Sequence, residues 1–142
     1  MSIFLAVAFA EAAGSLTINV GNVRNNRGQV VVDICPQARF LGDGCPYHGQ
    51  APARAGTTTV TVPQVPAGEY AVQAFHDENA NGEVDRGLFG IPKEGVGFSR
   101  NARIGLGPPK WRDAVFAHRA QAEVIGFDLR YFTGPSGPSR RK

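Results

Sequence analysis

Apolar and polar residues alternate along several short stretches of this chain. Leu16, Ile18 and Val20 are separated by Thr17 and Asn19, and Val30, Val32 and Ile34 repeat the spacing. A two-residue apolar period is that of a strand with one face buried. The turn signal Asn25-Asn26-Arg27-Gly28 lies between the two runs, so together they predict a hairpin. Thr57 to Val62 is a β-branched run that Pro63 and Pro66 should end. Glu69 to Phe75 places Tyr70, Val72 and Ala74 on one side of a further strand. Ala114 to Ala117 is a short strand candidate. Ile125, Phe127, Leu129 and Tyr131 alternate with Gly126, Asp128 and Arg130 in the last clear strand. No window carries a long helical period. Short strands at turn-punctuated spacing predict an all-β chain, an antiparallel β-sandwich of about seven strands, immunoglobulin-like or transthyretin-like in outline.

Composition agrees with that outline. A chain of 142 residues, 42% hydrophobic, is enough for one core and hardly two. Its 18 glycines and 10 prolines suit many turns better than long helices. The formal charge is +3, unevenly spread: six of the twelve acids lie between Glu69 and Glu94, and nine Lys or Arg against three acids follow from Gly95. The basic residues are not interleaved with stacking aromatics, so nucleic acid is not expected as a partner. A solvated surface is the plain reading of the basic half, and attraction to an anionic cell surface or polyanion is the alternative.

The two ends read differently from the middle. Residues 1–13 resemble a truncated export signal: Ile3 to Ala10 is apolar, and Ala8-Phe9-Ala10 fits a small-residue cleavage site. The positive start of such a signal is missing, so a buried first strand is the alternative. The run is shorter than the roughly 20 residues that span a bilayer, and the chain is not expected to cross one. Residues 14–132 form a single domain, and the Gly/Pro/Ser-rich basic tail, 133–142, is expected to be disordered. Cys35 and Cys45 are the only cysteines, ten residues apart, which is not zinc or redox spacing. With an export-like start they predict a disulfide, against the alternative of two buried thiols in a reducing compartment.

The run His76 to Asp85, HDENANGEVD, carries the most chemistry. Asp77, Asn79, Asn81, Gly82 and Asp85 give D-x-N-x-N-G-x-x-D, the spacing with which a curled loop converges oxygens on calcium. Glu83 lies in the same run. The loop follows a strand, so it is not an EF-hand. The twelfth position holds Leu88 where an EF-hand has a bidentate Glu, and Glu94 is the residue that folding back would bring in. Such a site should bind weakly, near the roughly 10⁻⁴ to 10⁻³ M of extracellular modules. The alternative is a metal-free loop of local Asx turns.

From Leu88 to Trp111 there is little strand pattern, and so long a segment in a small domain suggests function. Phe89, Phe98 and Trp111 argue against disorder. The segment either presents a ligand surface, with His76, Phe89, Lys93, Phe98, Arg100, Asn101, Arg103 and Trp111 as candidate contacts, or caps the sandwich. Enzyme signatures are few. G-x-S-x-G and H-E-x-x-H motifs are absent, and His48, His76 and His118 are scattered. His76 suits a metal ligand, an acid–base group, or a strand-end histidine bonded locally. Asp77 and Glu94 are the carboxylate pair that a hydrolase reading would need.

The joined pattern FHDENANGEVD, then LFGIPKEGVGFSRNAR, then GPP and DAVF, resembles the DUF2141 family of exported bacterial proteins of unknown function, from Leu16 to about Leu129. Lys110-Trp111-Arg112 stands where a more acidic segment is expected. The resemblance implies a periplasmic or secreted β-sandwich and carries no catalytic assignment. The loop alone also looks like the calcium loops of B-type repeat domains in surface adhesins. These readings together predict an exported, non-enzymatic domain with calcium as its cofactor and a cell-surface glycan, peptide or protein as partner. An envelope hydrolase and a purely structural envelope component are the alternatives.

Overall fold

A computed structural model describes residues 12–42, 44–80, 94–105 and 107–139. Eight strands lie among them: β1 (Ala13–Val23), β2 (Gln29–Cys35), β3 (Tyr47–Pro52), β4 (Gly56–Pro66), β5 (Gly68–Asp77), β6 (Val96–Phe98), β7 (Phe116–His118) and β8 (Glu123–Asp128). One helical turn, α1 (Trp111–Ala114), precedes β7. The strands form two facing sheets, ordered β4-β1-β8 and β3-β2-β5-β6, with β7 paired to the first residues of β5. The chain is therefore an all-β sandwich.

Period-two alternation turns one row of each sheet inward. Leu16, Ile18 and Val20 of β1, Val30, Val32 and Ile34 of β2, Val60 and Val62 of β4, and Tyr70, Val72 and Ala74 of β5 meet in one core with Phe127 and Leu129. A second, smaller cluster joins Ala71, Ala102 and Ala114 with Phe40, Phe98 and Trp111. Ala71 lies between two core residues of β5, so this cluster covers the outer face of that strand.

Several local expectations need correction. β1 and β2 do not form a hairpin. β1 pairs with β4 and β8, and β2 with β3 and β5, so the 24–28 turn carries the chain from one sheet to the other. The sandwich is not wholly antiparallel either, since β8 runs parallel to β1 from Leu16↔Glu123 to Gly21↔Asp128. Pro63 does not end β4, which runs on to Pro66. The register shifts between Gly14 and Leu16, and the bulge with Gln64 in the left-handed region absorbs the prolines on an edge strand. His118 fills this irregularity. Its Nε2 lies 3.2 Å from Gly14 O and 3.1 Å from Val65 O. The strand predicted over 114–117 starts instead at Phe116, after α1.

Cys35 and Cys45 are joined by a disulfide, with Cα atoms 4.9 Å apart. The bridge ties β2 to the segment that leads into β3, and closing so small a ring stabilises the fold by about 3 kcal/mol in the chain-entropy account. At the amino end, residues 1–11 of the expected export signal lie outside the described residues, and Ala13 opens β1. At the carboxyl end, Arg24 Nη1 donates to Pro135 O at 3.1 Å, and Asn22 Nδ2 to Ser136 O at 2.9 Å. Residues 140–142 lie outside the described residues. No described helix is long and apolar enough to cross a membrane.

Candidate functional site

Strand β5 ends where the calcium-like run begins. His76 continues the inward row of Tyr70, Val72 and Ala74, and it is fully buried. Asp77, beside it, is also buried. Gly28, at φ 68, lets the sheet-to-sheet turn press against the end of β5, and a Cβ there would meet Glu78 main-chain atoms at 2.8 Å. The chain returns to the same point at Glu94 and Gly95. His76 N donates to Gly95 O at 2.8 Å, and Glu78 N to Glu94 Oε2 at 2.6 Å. The excursion from Glu78 to Glu94 thus leaves and re-enters at one neck, where Asp77 and Glu94 are both buried. Asn79 lies exposed on the turn that Ala80 N closes onto Asp77 O, at 3.2 Å. Asn81, Gly82, Glu83, Asp85, Phe89 and Lys93 lie outside the described residues. Among the described residues, no three His, Cys, Asp or Glu side chains gather as a metal centre.

A hydrogen-bonded chain of groups runs behind that neck. His76 Nε2 lies 2.7 Å from Arg27 O, which only accepts, so Nε2 carries the proton. Nδ1 then accepts from the Tyr131 hydroxyl at 2.9 Å, and that hydroxyl accepts from Arg24 N at 2.9 Å. Every member of this chain is satisfied with His76 neutral. Desolvation by burial accordingly holds the His76 pKa below its ordinary 6.5, and burial also pushes Tyr131 up to about 12. The Arg24 guanidinium lies 4.4 Å from the centre of the Tyr131 ring and pairs with Glu78. Asn25 Nδ2 donates to Glu78 Oε2 at 2.7 Å. Burial opposes ionisation of Glu78, but the bonds from Arg24 and Asn25 outweigh it and hold its pKa below 4.5.

His76 therefore belongs to the interior and presents no ligand surface. Both its nitrogens are engaged, by partners from distant segments, Arg27 and Tyr131. Sequence reasoning missed Arg24, Glu78 and Tyr131. Tyr131 was visible as the last inward residue of the β8 alternation, but nothing in the sequence paired it with His76.

The remaining candidates lie elsewhere. Phe98 and Trp111 both pack on Phe40, with ring centres 6.1 and 5.7 Å away, so they close the outer-face cluster. Trp111 is half-buried. Arg100 Nη1 donates to Arg112 O and Val115 O, both at 3.3 Å. Asn101 Oδ1 accepts from Asp128 N at 2.9 Å. Asn101 and Arg103 line a cavity of about 210 Å³ with Phe98, Ile104 and Arg130. A larger open groove, about 1110 Å³, runs between Asn22, Arg24 and Thr57 and the carboxyl-terminal residues Pro135 to Ser139.

The sequence profile described as an uncharacterized protein conserved in bacteria, DUF2141, matches residues 18–125, from within β1 to within β8. The chain belongs to the DUF2141 family. The DUF2141 match thus takes in both ends of the loop neck, the disulfide and the Phe98–Arg103 segment, while Tyr131 and the carboxyl-terminal residues lie beyond it. No curated protein and no solved structure matches the chain.

Proposed function

We propose that this DUF2141 protein is an exported, non-enzymatic β-sandwich that binds calcium through its 77–85 loop and meets a cell-surface glycan, peptide or protein through its 88–111 segment. The observation that carries the calcium reading is the position of Glu94. Glu94, the carboxylate that this reading adds to the D-x-N-x-N-G-x-x-D run, accepts from the N–H of Glu78, the residue after Asp77, at 2.6 Å. Two buried carboxylates at the mouth of a loop rich in oxygen donors suit a hard cation, and burial strengthens their attraction for it. The disulfide supports export, because such bridges persist in oxidising compartments.

Calcium titration followed by thermal melting tests this reading. A ligand at about ten times its Kd stabilises the folded state by about 1.4 kcal/mol, which moves Tm by a few degrees for a chain of this size. Millimolar calcium should raise Tm by that amount, magnesium should do less, and Glu94→Gln and Asp85→Asn should each remove most of the shift. A parent protein whose Tm and calorimetric trace ignore calcium overturns the calcium reading.

A further inference from the structure

The 99–104 turn and the end of β8 enclose a site with its own chemistry. Arg100 (φ 59) and Asn101 (φ 50) are consecutive left-handed residues, a costly conformation outside glycine that recurs at ligand sites. It is held from several sides. Ser99 Oγ donates to Ala114 O at 2.6 Å and accepts from Val72 N at 3.0 Å. Asn101 Oδ1 receives the Asp128 N–H, which leaves the Asn101 amide group facing outward as a donor. Beside it is the cavity of about 210 Å³, smaller than the roughly 300–1,000 Å³ of drug-sized sites and therefore suited to a single small unit.

The charge in the wall is positive. Arg103 and Arg130 line the cavity. Arg130 is anchored by main-chain bonds to Val96 in both directions, at 2.8 and 3.0 Å, and its guanidinium, 5.9 Å from the centre of the Phe132 ring, donates through Nη1 to Ile104 O at 3.4 Å, which leaves its other N–H groups for a ligand. Arg103 is exposed and makes no hydrogen bond or ion pair with another described residue. Asp128 also borders the cavity, but its carboxylate lies against Gly21 of β1. Phe98 and Ile104 give the wall an apolar part. Two guanidiniums match a carboxylate's geometry, an amide donor suits a hydroxyl, and an apolar wall suits the face of a sugar ring.

We infer that this cleft binds the carboxylate of a single hexuronic acid unit, the acidic component of a glycan, between Arg103 and Arg130. The inference deepens the cell-surface part of the function proposed above and does not rest on calcium. Its test is calorimetric titration of the intact protein with galacturonate, with galactose and with inorganic phosphate, each in chelator and again in calcium. Galacturonate should saturate with a Kd on the order of millimolar, as expected for so small a ligand. Galactose should not bind, and phosphate should bind more weakly. Arg103→Gln should weaken galacturonate roughly tenfold or more, the effect of losing a charged hydrogen bond. Asn101→Asp keeps the oxygen that receives Asp128 N–H and replaces the donor by an anion, so it should abolish binding at an unchanged Tm. Absent galacturonate binding in both conditions overturns the inference and leaves any calcium-dependent melting shift standing. Galactose or phosphate binding as tightly as galacturonate, or unweakened binding by Arg103→Gln, also overturns it.

Discussion

His76 sits in the core-facing row of a strand, and the row decides its chemistry. An imidazole there loses water, and Arg27 O and the Tyr131 hydroxyl replace that water only for the neutral ring. Protonation would place an N–H opposite the hydroxyl hydrogen. The folded pKa lies below 6.5, so the unfolded chain takes up the proton first as pH falls. The stability held by neutral His76 is therefore complete above 6.5 and lost as pH drops through the folded value. The slope cannot exceed about 1.4 kcal/mol per pH unit for one proton. Glu78, also shifted down, adds a loss in the same direction below 4.5. Tyr131, shifted up to about 12, loses its contribution only as pH rises above 10. We expect Tm to fall between about pH 7 and pH 5 in the parent and to change less over that window in His76→Gln. Equal slopes in the two proteins would remove His76 from the account.

At the scale of elements, the inward rows of β1, β2, β5 and β8 were legible from apolar residues at alternate positions, and β4 only as a β-branched run. Which strands pair was not. A strand's period states that one face is buried but not in which sheet, so two neighbouring runs around a turn signal looked like a hairpin although they cross between sheets. β3 was missed because its inward residues, Tyr47, Gly49 and Ala51, include two small ones and leave no apolar pattern on an edge. β6 is only three residues long, and its middle position is Gly97. That glycine follows from packing across the sandwich: a Cβ there would lie 2.6 Å from Asp128 O and 3.1 Å from the Phe127 ring. The main-chain bonds between Val96 and Arg130 join the two sheets at this edge. Gly97→Ala should force β6 and β8 apart and cost about 1–3 kcal/mol, read as a lower denaturation midpoint at constant slope. A midpoint unchanged by the substitution would show that the edge is looser than its geometry. Of the neck, Asp77 was singled out by donor spacing, and Glu94 only as a carboxylate that folding back would bring in; the structure bonds Glu94 to Glu78 N. The Arg24–Glu78–Tyr131 partners were not legible, because they come from three distant segments with no shared motif.

For the whole molecule, the main question is whether its two apolar clusters act as one body. The inner core and the outer-face cluster share β5, where Ala71 points out between Tyr70 and Val72, which point in. Ser99 Oγ adds a polar link, bonded to Val72 N on β5 and to Ala114 O on α1. A cluster fixed to the central strand by packing and by a buried hydrogen bond should open only when that strand does. Trp111, the sole tryptophan, reports on the outer cluster alone, while far-ultraviolet circular dichroism reports on the strands. We expect the two signals to give coincident denaturant transitions. Trp111 is half-buried, so Trp111→Ala should cost about 1–3 kcal/mol, less than the 3–5 kcal/mol of a fully buried large ring. The loss should appear in the circular dichroism midpoint as well, because the strands lose the cover on β5. A tryptophan transition well ahead of the strand transition, with a Trp111→Ala protein as stable as the parent, would instead make the outer cluster an independently opening lid on the sandwich.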